Sequence, residues 1–194
     1  MKKVKIEIGA GNRPRKGFEN FEHKITGKNS YDMITDELPL PDGTIDELYM
    51  SHVIEHCPMY IIGDVMRKLY KKMKKGGKIR VITPDLKQWV KFYLEGDLEK
   101  VRKVHKSFNG LERYGLSAAF TVVFCSVGND MYLFDRKKEK EIIGIAHCAA
   151  YDFESLSAVL KEAGFINIER SDYDENIESH FTPYSLYINA EKEE

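Results

Sequence analysis

Apolar and charged residues alternate from Val4 to Ile8 before the chain meets Gly9-Ala10-Gly11, a pattern that predicts a short strand ending in a glycine turn. A second short strand is predicted over Phe18–Phe21, and a third over Ile45–Met50 behind the turn Pro41-Asp42-Gly43. From Met59 the period changes. Met59, Ile62, Met66, Leu69 and Met73 recur three and four apart, and lysines gather ahead of Gly76-Gly77, which predicts an amphipathic helix with a glycine stop. Lys78–Thr83 has the β-branched character of a strand and is closed by Pro84-Asp85. Leu86, Trp89, Val90, Tyr93 and Leu94 make a second helical face, and Leu98, Val101, His105 and Phe108 a third. Residues 111–128 are evenly apolar after Arg113 and fit a buried helix or an interface segment equally. Asp152 is placed to cap a helix that turns Phe153, Leu156, Leu160 and Ala163 inward and stops at Gly164. Phe165–Tyr173 and Tyr184–Asn189 read as two closing strands paired antiparallel. The order is α/β, with a helical insertion at about 86–150.

Composition narrows the class. A chain of 194 residues with 42% hydrophobic side chains suits one core. Thirty basic against 31 acidic residues leave a formal charge of −1, so no global field draws the protein to nucleic acid or an anionic membrane. The N-terminus lacks the apolar stretch of a secretory signal, and no run approaches the ~18 apolar residues of a membrane span. The three cysteines, Cys57, Cys125 and Cys148, are odd in number and show no C-x-x-C spacing. Neither a disulfide framework nor a zinc knuckle is expected, and a reducing cytoplasmic setting is.

The glycine turn after the first strand is the first chemical signal, because Gly-x-Gly lets a ligand approach the backbone. A nicotinamide cofactor calls for G-x-G-x-x-G with an acid about 20 residues on. Here position 14 is proline, and the acid at the end of the second strand, Glu22, lies eleven residues beyond Gly11. The triphosphate loop G-x-x-x-x-G-K-[ST] is also missing. What remains is an uncharged or cationic ligand carrying a ribose, whose vicinal hydroxyls Glu22 is placed to bind.

The runs Glu7 to Gly11, Gly17 to Glu22, Leu38 to Asp46 and Ser51 to His56 resemble class I S-adenosylmethionine-dependent methyltransferases, as do Leu69 to Gly77, Lys78 to Asp85, Ala163-Gly164-Phe165 and Ser185 to Lys192. More narrowly they resemble the small, compact bacterial and archaeal branch, methyltransferase type 11-like, in which a loop joins the first two strands. The resemblance implies a Rossmann-like class I methyltransferase sheet, mostly parallel with an antiparallel closing hairpin, in a single domain over 1–194 with a helical cap insertion. It implies S-adenosylmethionine as cofactor and S-adenosylhomocysteine as product. Glu7, Gly9, Ala10 and Gly11 then meet the methionine end, with Arg13 placed for its carboxylate. Glu22 grips the ribose, Asp36 stands beside the adenine, and Ser51, His52 and Val53 lie under the methionyl part.

His52-Val53-Ile54-Glu55-His56 also fits H-x-x-E-H, a zinc-peptidase signature. That chemistry needs an uninterrupted helix, whereas this motif follows a strand and is broken by Pro58; a third ligand would come from Glu139 or Glu141. No metal site is expected. For proton removal from an acceptor, His147 at the join of cap and scaffold is the leading candidate, followed by His52, His56 and Asp85. Trp89, Phe92, Tyr93, Phe108 and Tyr114 belong to the helix core or to the acceptor pocket, and Arg102, Lys103, His105, Lys106 and Arg113 to a solvated face or an anion site. Cys57 and Cys148 adjoin histidines without a spacing that argues for thiolate catalysis. The reading is therefore methyl transfer to an oxygen or nitrogen nucleophile of a small-molecule or glycan-type acceptor, in a monomer or homodimer. A non-catalytic S-adenosylmethionine-binding partner subunit and a zinc hydrolase are the alternatives.

Overall fold

The computed structural model describes residues 2–11, 13–23, 29–97, 99, 115–125, 147–176, 178 and 184–194. Its strands are β1 (Lys5–Ile8), β2 (Glu19–Phe21), β3 (Ile45–Ser51), β4 (Met73–Pro84), β5 (Phe165–Ser171) and β6 (Ser185–Lys192). They form one sheet in the order β2-β1-β3-β4-β6-β5. β2, β1, β3 and β4 run parallel, and β6 lies antiparallel between β4 and β5. This is the mostly parallel, Rossmann-like sheet with an antiparallel closing pair. The chain leaves β1 for β2 on one side and reaches β3 on the other, so the strand order reverses at the C-terminal ends of β1 and β3.

The pleat sorts the side chains. Ile6 and Ile8, Leu48 and Met50, Ile79 and Val81, and Ile188 and Ala190 share one buried face. Two helices cover it, α1 (Ile62–Lys72) and α4 (Phe153–Ala163). Ile62, Val65, Met66 and Leu69 bury the inner stripe of α1. Asp152 starts α4 with a reciprocal capping box, accepting from the Ser155 amide at 2.8 Å while its own amide donates to Ser155 Oγ at 3.0 Å. The opposite face carries Tyr49, Ile82 and Tyr187, with Phe18 and Tyr173 against them.

The glycine stop expected for α1 is corrected. The helix ends at Lys72, and Gly76-Gly77 lies inside β4. A Cβ on Gly77 would stand 2.7 Å from the Lys74 carbonyl oxygen and 2.9 Å from that of Ile45, and here the β3–β4 register shifts between Ile45 and Glu47. The glycine is therefore required by close backbone approach at a bulge.

Between β4 and α4, α2 (Leu86–Glu95) and α3 (Leu116–Cys125) are helical, which settles 116–125 as helix. Trp89, Phe92, Val123 and Phe124 form their own buried cluster against Leu116, Phe120 and Tyr184. The helical face proposed for Leu98, Val101, His105 and Phe108, the basic stretch 102–113 with Tyr114, and Glu139 and Glu141 lie outside the described residues. Among the described residues no helix is long and apolar enough to cross a membrane.

Candidate active site

β1 delivers the chain to Gly9, whose φ of 72° and contact with Val53 both exclude a side chain: an added Cβ would stand 2.5 Å from Val53 Cγ2. The missing Cβ lets the loops after β1 and β3 close on each other. Gly11, with φ of 55°, has open space where its Cβ would point. The open approach expected of the glycine turn thus belongs to Gly11, while Gly9 serves loop packing.

Glu22 ties this loop to the end of β2. Its carboxylate accepts from the Gly11 amide at 2.8 Å and from the His23 amide at 3.1 Å. The Ala10 amide donates to Asn20 Oδ1 at 3.2 Å, and the Gly9 amide to the Phe21 carbonyl at 2.9 Å. Glu7 acts on the far side of β1. It accepts from the Arg15 amide at 2.7 Å and so closes the loop at its other end. Burial pushes its carboxyl above the usual value, against the Arg15 hydrogen bond and charge. The Arg15 guanidinium stacks on Tyr49, 3.7 Å from the ring centre.

Between the ends of β1, β2 and β3 opens a cavity of about 290 Å³. Gly9, Gly11, Glu22, His52 and Val53 line it, together with His56. Much of its remaining wall is Tyr31, Asp32, Met33 and Ile34. The wall is made by the chain after β2, which folds back through a bridge between Glu22 and Ser30. Asp36, expected beside the ligand, is instead spent in a turn, accepting from the Asp32 amide at 2.8 Å. Asp32, Met33 and Ile34 line the cavity, and Asp36 does not. Arg13 is exposed and, with Ala10, Glu7 and Ser51, does not line the cavity. Asp85, a candidate base, is 5% exposed. It caps α2 through the Lys87 and Gln88 amides and pairs with Arg170 at 2.8 Å, so it holds two elements together away from the cavity.

The histidines gather around one buried carboxylate. His52, at φ of 54°, leaves the strand in the left-handed region that an L side chain enters at a cost of about 1–2 kcal/mol. A single 3-10 turn, Ile54–His56, follows. His52 Nδ1 meets Glu55 Oε1 at 3.1 Å, and Thr83 Oγ1 donates to Glu55 Oε2 at 3.2 Å. The Glu55 carbonyl accepts from the Cys148 and Ala149 amides at 2.7 and 3.1 Å, which brings His147 against His56 with ring centres 4.7 Å apart. Burial raises the Glu55 carboxyl, but the His52 hydrogen bond and the charges of His52, His56 and His147 outweigh it and hold the group below its usual value. The continuous helix of a zinc peptidase does not form here, and the partner supplied to Glu55 and His56 is His147. Burial drives the Cys57 thiol up to about 12, which removes it as a thiolate nucleophile.

A larger hollow of about 610 Å³ spreads over the opposite sheet face. Three of its cations are paired: Lys5 with Glu47 at 2.8 Å, Lys78 with Glu191 at 3.2 Å, and Arg80 with Glu178. The smaller cavity has the glycine backbone and the convergent polar groups of a ligand site.

No protein-family model and no curated protein sequence matches the chain. Solved structures do. A structure of S-adenosylmethionine-dependent methyltransferases from Methanosarcina mazei superposes with a TM-score of 0.56 at 13% identity, covering 100% of this chain and 94% of that one. A S-adenosylmethionine-dependent methyltransferase from Archaeoglobus fulgidus gives 0.52 at 17% identity over 98% and 86%. Human N-acetylserotonin methyltransferase, solved with S-adenosylmethionine, gives 0.48 at 12% identity over 99% of this chain and 41% of that one. The chain spans about two fifths of the length of several solved proteins it matches. Sheet order, the crevice at the strand reversal and the two full-length superpositions together identify the fold as that of class I S-adenosylmethionine-dependent methyltransferases.

Proposed function

We propose that the protein is a S-adenosylmethionine-dependent methyltransferase acting on an oxygen or nitrogen nucleophile of a small-molecule or glycan-type acceptor. The observation that carries this reading is the Glu22 carboxylate, held by the Gly11 amide at 2.8 Å at the mouth of the crevice. Each carboxylate oxygen has a second lone pair, so Glu22 retains acceptor capacity for a ribose diol. Met33, Ile34, Tyr31 and Phe21 offer apolar surface to a flat base, and the space beside Gly11 admits a ligand against the backbone. Bound S-adenosylmethionine supplies an activated methyl group on a sulfonium whose loss leaves a neutral thioether.

The protein's own task is then alignment of donor and acceptor and exclusion of water, effects that supply about 7–11 kcal/mol. His52 and His56 line the cavity, with His147 packed on His56. A hydroxyl acceptor must also lose its proton, and this imidazole cluster over Glu55 holds the groups that handle it, His147 first among them. Residues 86–150 are the proposed cap on the acceptor side.

Calorimetric titration with S-adenosylhomocysteine tests the reading. Wild type binds it in preference to NAD or ATP. Removing a hydrogen bond to a charged group costs about 1.5–3 kcal/mol, so Glu22→Ala weakens binding by about 10- to 150-fold with unchanged circular dichroism. Absence of saturable binding by folded wild type refutes the proposal, and equal affinity of the variant removes Glu22 from the site.

A further inference from the structure

We propose that Glu55, His56 and His147 form a binding site for a divalent first-row transition ion of the zinc type, at the edge of the cavity. One ligand atom from each residue lies within 4.8 Å of the other two. Ligand atoms around such an ion stand about 2.0–2.2 Å from it, so the three side chains draw together to close the set. Two imidazoles and one carboxylate favour zinc-like ions over magnesium or calcium, which take oxygen ligands.

The surroundings match those of a ligand set. His147 Nδ1 faces the Val123 carbonyl. A carbonyl only accepts, so Nδ1 is the donor here and Nε2 is the ring nitrogen left for a ligand, the outer arrangement that orients metal-bound histidines. Glu55 is fixed through both carboxylate oxygens, by His52 and by Thr83. Its backbone carbonyl ties the segment carrying His147 to the turn carrying His56. The three residues are therefore gathered before an ion arrives, although His147 lies far along the chain from Glu55 and His56. Glu55 is 1% exposed, and a cation on its free lone pairs offsets the cost of burying its charge. His56 also lines the cavity, which sets the group at the cavity's edge. On the methyltransferase reading, an ion there would replace the His56 and His147 imidazoles in the handling of the acceptor proton: it would lower the pKa of an acceptor hydroxyl, whose proton then leaves to water. That role rests on the reading, whereas the site itself does not.

The test is zinc binding by the full chain, stripped with a chelator and dialysed, followed by calorimetry with zinc chloride and by the visible spectrum of the cobalt(II) form. The expected result is one ion per chain, at least about 100-fold weaker binding in His147→Ala and in His56→Gln, and unchanged binding in the Cys57→Ser/Cys148→Ser double variant. Circular dichroism and melting temperature establish that each variant folds, and the two single variants check each other. No saturable zinc binding, affinity unaltered in both histidine variants, or a thiolate-to-cobalt charge-transfer band abolished by the cysteine changes overturns the site. S-adenosylhomocysteine titration of the same stripped protein separates the two proposals. Zinc binding without nucleoside binding keeps the site and sinks the transferase reading; the converse sinks the site alone.

Discussion

Gly9→Ala places a methyl group 2.5 Å from Val53 Cγ2 on a backbone at φ of 72°, and the cost has two separable parts. Left-handed backbone costs an L residue about 1–2 kcal/mol. Forcing a methyl into a filled contact costs a further 1–3 kcal/mol or so. Reduced entropy of the unfolded chain returns about 0.4–1 kcal/mol, so Gly9→Ala destabilises by about 2–4 kcal/mol. The two parts respond differently to Val53→Ala. That change removes Cγ1 and Cγ2 and leaves Val53 Cβ at 3.6 Å from the new atom, an ordinary contact. By itself it loses about 1.5–3 kcal/mol of buried packing. In the double variant the overlap is gone while the backbone strain stays, so the two changes together cost about 1–3 kcal/mol less than the sum of the singles. Urea melts of the four proteins complete the cycle, with equal m-values required. Additivity within about 0.5 kcal/mol refutes the reasoning, because the Val53 contact is then not what excludes a side chain at position 9.

Asp85→Ala removes the cap of α2 and the partner of Arg170, and it costs about 1–3 kcal/mol in urea melts; S-adenosylhomocysteine affinity stays unchanged, and a loss of affinity without a loss of stability would return Asp85 to the ligand site. For Glu7 the folded carboxyl lies above its ordinary value of 4.5 through burial. Between 4.5 and that raised value the native state holds a proton that the unfolded chain has released, so stability falls as pH rises through this window and levels off above it. Glu7→Gln keeps an acceptor for the Arg15 amide and lacks this fall, so the stability difference between the two proteins, followed by urea melts from pH 4 to 7, changes with pH in that direction; a difference flat in pH refutes the assignment.

The parallel half of the sheet was readable because its signals are local. Period-two alternation in Val4–Ile8 and Ile45–Met50 survives as β1 and β3, and Asp152 with Gly164 bounds α4 as expected. Local signals are ambiguous where a residue answers to a distant one. Gly76-Gly77 looks like a helix stop until the Ile45 carbonyl, 2.9 Å from an added Cβ on Gly77, is in place. Asp36 and Asp32 are both acids near the right spacing, and only the return of the chain at the Glu22–Ser30 bridge decides that residues 32–34 form the cavity wall.

The histidine cluster shows the same limit from the other side. H-x-x-E-H is a statement about one helix, and the signature is present in His52 to His56 without the helix that gives it meaning. The left-handed φ at His52 turns the chain out of the strand, and one 3-10 turn is too short to stack two histidines on a face. Glu55 and His56 are nonetheless brought to a third side chain, because the Glu55 carbonyl accepts from the Cys148 and Ala149 amides. Local spacing therefore singles out Glu55 and His56 in a geometry other than the helical one it implies, and in the sequence His147 is only a histidine near the join of insertion and sheet. What assembles the group is the reversal of strand order at the ends of β1 and β3, which places the turn after β3 beside the ligand cavity, together with the segment that returns from the insertion to start α4. A cluster built in this way depends on the sheet being intact, and its chemistry is a property of the topology more than of any one motif.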